Sequence, residues 1–156
     1  MKILMVCLGN ICRSPLAEGI MRKKMADSHV PGEVDSCGFE PFHAGDTPDR
    51  RAIEVARQHG IDISDHRGKL FSISYFDTFD RIFVMDSNNY RDVASVARND
   101  ADMKKVDFIM NMTYPGSNQP VPDPYYGGQA DFSKTWELLD AATDKIIESI
   151  RKKNHD

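Results

Sequence analysis

Cys7 and Arg13, with five residues between them, carry the densest chemistry in this chain. They lie in Val6-Cys7-Leu8-Gly9-Asn10-Ile11-Cys12-Arg13-Ser14-Pro15. A thiol and a guanidinium this close can act as a nucleophile beside a fixed cation. The thiolate is the attacking form, so the surroundings must favour it over the thiol. Arg13 offers a planar fork that matches two oxygens of a tetrahedral anion and stays charged. Ser14 can donate its hydroxyl to the Cys7 sulfur.

The flanking residues say how these groups are held. Ile3-Leu4-Met5-Val6 reads as a buried strand, and Ser14-Pro15 as the opening of a helix with Pro15 at its first position. The residues between must form a tight strand-to-helix loop. Such a loop aims successive backbone N–H groups at one spot, and the helix N-terminus adds positive potential there. A tetrahedral oxyanion fits it, with Cys7 at the bottom and Arg13 on the rim. Leu8, Gly9, Asn10, Ile11, Cys12, Arg13 and Ser14 are the expected phosphate-binding positions. Gly9 and Asn10 tolerate the left-handed backbone angles that a curled loop needs. Other phosphate loops fit poorly, since neither G-x-x-x-x-G-K-[ST] nor G-x-G-x-x-G occurs.

At 156 residues the chain is expected to form one domain, residues 1–156, with a sizeable core. Its residues are 40% apolar and 28% charged, the balance of a globular protein. A formal net charge of −4 argues against nucleic acid as a partner, and requires any anion to be held by a local field. No apolar stretch approaches the roughly 20 residues of a membrane span, so no membrane insertion is expected. The opening Met1-Lys2-Ile3-Leu4-Met5-Val6 is too short for a signal peptide and runs directly into the loop. Three cysteines are too few, and odd in number, for a disulfide scaffold, which points to a reducing cytoplasm. Cys7 and Cys12 have no second close Cys or His pair, and no H-E-x-x-H occurs, so neither a metal nor another cofactor is expected.

Hydrophobic periodicity supplies the remaining elements. Leu16, Ala17, Ile20, Met21 and Met25 mark an amphipathic first helix. Gly32 to Cys37 holds a second strand. Ala52, Ile53, Val55 and Ala56 lie on a second helix that Thr47-Pro48 could start and Gly60 could end. Arg81 to Met85 reads as a third strand, Tyr90 to Arg98 as helix, and Val106 to Met110 as a fourth strand. Tyr114 to Gly128, rich in Pro and Gly, reads as a long ordered loop of the kind that often carries function. Trp136, Leu138, Leu139, Ala142, Ile146, Ile147 and Ile150 mark a closing helix. Alternating strands and helices imply an α/β fold with a mostly parallel sheet wrapped by helices, with Cys7 at the carboxyl end of a strand, where ligands bind such sheets.

The chain resembles the low-molecular-weight protein tyrosine phosphatase family. Val6 to Pro15 matches that family's phosphate loop, and Asp123-Pro124-Tyr125-Tyr126-Gly127 its general-acid loop. Met85-Asp86-Ser87-Asn88, and Pro48-Asp49-Arg50-Arg51-Ala52 with His59-Gly60-Ile61, resemble two further family segments. The resemblance implies a single-domain, doubly wound, four-stranded parallel sheet flanked by helices on both faces. It also implies a monomer, phosphotyrosine proteins or peptides as partners, and inorganic phosphate as product.

A tyrosine phenol, with a pKa near about 10, leaves slowly unless protonated, so a carboxylic acid is required near Cys7. Asp123, in the Pro-rich loop, is the candidate, and it can later take a proton from water that hydrolyses a cysteinyl phosphate. Amides and Arg13 would stabilise the transferring phosphoryl group. Tyr125 and Tyr126 would flank the entrance, and the resemblance implies that they can be phosphorylated. Phe42 aligns with an aromatic of the family's variable loop and could be the opposite wall or a core residue. Ser36 and His66 resemble residues that hold Asn10. Arg67-Gly68-Lys69 departs from the Ala-Arg-Gln that relatives often carry. His29, His43, His59 and His155 show no site context and are expected at the surface. The resemblance implies that Cys12 can trap an oxidised Cys7 as a reversible disulfide. Cys37 reads as structural.

Three rivals share some of these features. An arsenate reductase would need cysteines after Cys37, and there are none. Phosphoarginine hydrolases of this fold tend to carry Thr at the position of Ile11 and Phe at that of Tyr125. A silent phosphotyrosine-binding module would need neither Cys7 nor Asp123.

Overall fold

The computed structural model describes residues 1–155, and the side chains of Asn154 and His155 lie outside what it describes. Four strands form one parallel sheet: β1 (Lys2–Val6), β2 (Glu33–Cys37), β3 (Arg81–Val84) and β4 (Val106–Phe108), in the order β2-β1-β3-β4. The register pairs Val6 with Cys37 on one side and with Val84 on the other. Among the described residues six α-helices connect and cover the strands: α1 (Arg13–Asp27), α2 (Arg50–Gln58), α3 (Tyr75–Thr78), α4 (Ser87–Val96), α5 (Asp100–Met103) and α6 (Gln129–His155).

Strand alternation sorts the core into two layers. Ile3, Met5 and Phe83 pack on the face covered by α1, α2 and α6. Leu4, Val6, Ile82 and Val84 pack on the opposite face with Phe76 of α3 and Val93 of α4. Both faces are therefore apolar, as a parallel sheet with crossovers on each side requires. The predicted doubly wound, four-stranded single domain is what the structure has.

Several local expectations shift. α1 starts at Arg13, so Pro15 sits inside its first turn rather than at its first position; its missing N–H is harmless there because first-turn amides have no intrahelical partner. α1 is also not amphipathic at its start. Every residue from Arg13 to Met21 is buried, because this end is wedged among the sheet, α2 and α6. α2 begins two residues after Thr47-Pro48, where the Asp49 side chain caps it by accepting from Arg51 N at 2.8 Å. Gly60, φ 77°, ends that helix as expected. Strand β4 gives way to a 3-10 turn at Ile109–Asn111. The short α3 and α5 have no counterpart in the sequence reading, since four residues are too few to show a period. No helix among the described residues is long and apolar enough to cross a membrane.

Candidate active site

Residues 7–12 link the carboxyl end of β1 to the N-terminus of α1, and Cys7 is 3% exposed. Asn10 takes the left-handed conformation, φ 56°, which curls the loop so that its own N–H points back at Cys7 Sγ, 3.3 Å away. Gly9, the other candidate, is not left-handed. Among the described residues the amides of Leu8, Gly9, Ile11 and Cys12 find no protein acceptor. Unpaired amides on one tight loop, at a helix N-terminus, form an anion cradle.

A buried polar chain holds this loop from beneath. Asn10 Nδ2 donates to Ser14 Oγ at 2.8 Å and to Ser36 Oγ at 3.0 Å. Asn10 Oδ1 accepts from His66 Nε2 and from Lys69 N, both at 3.0 Å. Ser36 Oγ in turn donates a hydrogen bond to Glu18 Oε1 at 2.6 Å. With Ser14 Oγ already accepting from Asn10, its single proton is left for Cys7 Sγ, 3.0 Å away. Asn10 and Ser14 are thus turned inward, 1% and 0% exposed, and their side chains hold the cradle instead of lining it.

Arg13 is not on a rim. It is 2% exposed, and its Nη1 donates to Asp86 Oδ2 and to the Val121 carbonyl, each at 2.8 Å. Its Nη2 lies 3.7 Å from Asp123 Oδ2. Burial opposes the charge, but Cys7, the Asp86 hydrogen bond and Asp123 outweigh it and hold the guanidinium above its ordinary range. Burial, helped by the charges of Asp49, Cys7 and Asp123, pushes the Cys12 thiol well up.

Cys7, Leu8, Gly9, Ile11, Cys12 and Arg13 line a cavity of about 180 Å³. Its mouth is formed by Glu40, Phe42, His43, Asp123, Tyr125 and Tyr126. Asp123 is partly exposed, and its Oδ1 accepts from Tyr125 N at 3.1 Å. Phe42 is 72% exposed and Tyr126 92%, so neither is a core residue. His43 is drawn into the mouth by the 3-10 turn Pro41–His43, contrary to the expectation of a bystander. It lies between Glu40 and Asp46, 3.5 and 3.0 Å away. His59 is exposed but stacks on Trp136 at 4.3 Å.

A family model described as low molecular weight phosphotyrosine protein phosphatase matches residues 2–156. The chain belongs to that family. A Schizosaccharomyces pombe relative, a low molecular weight phosphotyrosine protein phosphatase, is 37% identical over 152 residues, covering 96% of each chain. A protein tyrosine phosphatase from Entamoeba histolytica, solved with Hepes in its active site, superposes with a TM-score of 0.91 at 33% identity over 99% of each chain. Vibrio vulnificus Wzb, solved in complex with benzylphosphonate, superposes with a TM-score of 0.84 at 26% identity, over 95% of this chain and 97% of that one.

In this low molecular weight phosphatase, two acidic residues of the site escaped the sequence reading. Asp86 follows β3, the neighbour of β1 at the point where the winding reverses, so it falls beside the loop that follows β1. Glu18 stands four residues after Ser14, hence on the same helical face, among apolar neighbours. A carboxylate in that company was the available signal. Lys69 supports the loop through its backbone N–H, which explains how a departure in side chain at that position leaves the contact intact.

Proposed function

We propose that this chain hydrolyses phosphotyrosine, and small aryl phosphates, through a cysteinyl-phosphate intermediate. As a phosphotyrosine phosphatase it is a phosphoric monoester hydrolase. The observation that carries the mechanism is the convergence of Cys7, Arg13 and Asp123 on one small cavity floored by unpaired amides. The phosphate group enters with its oxygens on the loop amides and the Arg13 guanidinium. The Cys7 thiolate attacks phosphorus, the P–O bond to the ring breaks, and Asp123 gives its proton to the departing phenolate. Water then attacks the cysteinyl phosphate. Asp123 takes its proton, the P–S bond breaks, and inorganic phosphate leaves with the thiolate restored. Fixed dipoles and one guanidinium offset the charge that develops on the phosphoryl oxygens in both steps.

The mouth favours an aromatic ester. Tyr125, Tyr126 and Phe42 offer ring faces to a phenyl group, and Ile11 adds an apolar wall unsuited to a guanidinium. The benzylphosphonate of the Vibrio neighbour is likewise a ring carried by a tetrahedral phosphorus group. This reading also includes a monomer acting in the reducing cytoplasm, where the Cys7 thiol stays usable, and a protective role for Cys12.

The test is a rapid-quench reaction with an aryl phosphate, with no metal added, comparing wild type, Cys7→Ser and Asp123→Ala. Wild type is expected to release phosphate and to yield a trapped cysteinyl phosphate. Cys7→Ser is expected to release none. Asp123→Ala should lose roughly a hundredfold or more on phenyl phosphate and much less on 4-nitrophenyl phosphate, whose phenolate leaves unaided. A wild-type protein that binds phosphotyrosine under reducing conditions without releasing phosphate would sink the enzyme reading.

A further inference from the structure

Arg51 stands at the second position of α2, away from the cavity floor, yet its guanidinium links the α2 cap Asp49 to the loop that carries Asp123. Asp49 grips it with both carboxylate oxygens: Nε reaches Oδ1 at 3.0 Å and Nη2 reaches Oδ2 at 2.9 Å. That fork fixes the plane of the guanidinium. The outward N–H groups then donate to two carbonyls of the Asp123 loop, Nη1 to Gly127 O at 2.7 Å and Nη2 to Tyr125 O at 2.8 Å. The guanidinium carbon also lies 4.6 Å from the centre of the Phe132 ring, at the start of α6.

The other end of this connection is the phosphate loop. The Asp49 amide donates to the Ile11 carbonyl at 2.8 Å. A continuous path therefore runs from Ile11, through Asp49 and Arg51, to the carbonyls on the far side of Asp123. Among the described residues, every hydrogen bond that reaches residues 122–128 from outside the 121–132 stretch comes from Arg51. The loop carries no regular structure of its own, so its position depends on such ties. The Asp123 carboxylate is in turn held to that backbone by Tyr125 N, next to the carbonyl that Arg51 grips.

We propose that Arg51 is a positioning residue for proton transfer: it sets the distance between the Asp123 carboxylate and an ester seated over Cys7. This inference rests on the reading of Asp123 as the proton donor. Misplacing a catalytic group by about an ångström is enough to cost on the order of a hundredfold, so a distant tether can govern the step. A lysine could keep the Asp49 pair but could not hold both carbonyls in one plane.

The test measures kcat/KM, which reports the step in which the phenolate leaves, across aryl phosphates of rising leaving-group pKa. Wild type, Arg51→Met, Arg51→Lys, Asp123→Ala and the Asp123→Ala/Arg51→Met double variant are compared. Arg51→Met is expected to stay within about threefold of wild type on 4-nitrophenyl phosphate and to lose roughly tenfold or more on phenyl phosphate, because the proton donor matters only for the poor leaving group. Arg51→Lys should fall between, and the double variant should be no steeper than Asp123→Ala alone. If Arg51→Met fails to fold, the Arg51→Lys profile carries the same comparison. A uniform loss across the series, with Asp123→Ala alone steepening it, would overturn the role of Arg51 and leave that of Asp123 intact. If Asp123→Ala itself leaves the profile unchanged, the proton-donor reading falls and this inference falls with it.

Discussion

Asp86 does two things with one carboxylate. Its Oδ1 caps α4 through Asn89 N at 2.9 Å, while Oδ2 holds Arg13. Asp86→Asn should preserve much of the cap, since Asn is as good an N-cap, and should cost the charge-assisted bond to Arg13, worth about 1.5–3 kcal/mol. A guanidinium no longer held in place binds its anion less well. Inhibition by inorganic phosphate is therefore expected to weaken roughly tenfold or more; an unchanged inhibition constant would show that Arg13 needs no support. Cys12 makes a second case. Because burial keeps it a thiol, it leaves the anion field to Cys7. If peroxide converts the Cys7 thiolate to a sulfenic acid, attack by Cys12 sulfur forms a disulfide and releases water. Cys12→Ser should turn over at close to the wild-type rate, yet regain less activity with thiol reductant after peroxide treatment.

At the level of elements, helix caps and strand ends do the positioning. The caps of α2 and α4, Asp49 and Asp86, each bind an arginine of the site region as well as their own helix. Burial alone would raise the Asp49 carboxyl, but the Arg51 side-chain bonds, its backbone N–H and its charge hold it below the ordinary carboxylate value. A carboxyl lowered in the folded state stabilises the fold above the unfolded value, and that contribution is lost as pH falls through the folded value. Asp49→Ala should cost about 1 kcal/mol near neutrality through the lost cap. The gap between wild type and variant in thermal unfolding should narrow in acid, below the ordinary carboxylate range. A gap that widened there would contradict the pairing. Gly38, just beyond β2, shows how closely elements approach. A Cβ there would sit 2.6 Å from Leu8 O and 3.0 Å from Asn10 N, both backbone atoms of the cradle. Gly38→Ala should therefore displace the loop and lower kcat/KM at least tenfold while the protein remains folded, as circular dichroism and turnover together would reveal.

The whole molecule works against its ligand in net charge and for it in local field. In the proposed mechanism a chain of charge −4 gathers a dianion through loop amides, the α1 N-terminus and Arg13, which converge on one buried point. Binding there should be coupled to global stability. At about one hundred times its dissociation constant, a ligand of the native state adds about 2.7 kcal/mol, or roughly 5–10 °C in Tm for a domain of this size. Inorganic phosphate is expected to raise Tm by that amount in wild type and to do far less in Arg13→Met. Equal shifts in the two proteins would place the bound phosphate elsewhere.

The loop from Cys7 to Ser14 was legible in the chain itself, because consecutive residues between a strand and a helix have little freedom in where they point. The same local reasoning offers both Gly9 and Asn10 as left-handed positions, and the structure uses Asn10; Asp123 is read as the acid from its Pro-rich motif taken together with the Cys7 loop. Asp86, Glu18, His43 and Arg51 were not legible as parts of the site. Asp86, His43 and Arg51 are ordinary capping or surface residues in their own segments, Glu18 offers only a carboxylate among apolar neighbours, and each becomes part of the site through residues distant in the chain. Asp86 meets Arg13 because β3 lies beside β1 with Val84 opposite Val6. Arg51 meets the Asp123 loop because α2 and α6 cover the same face of the sheet. Local backbone geometry is encoded over a few residues and can be read from them. Strand order and helix packing are settled by burial over the whole chain, and only they decide which distant side chains share the cavity.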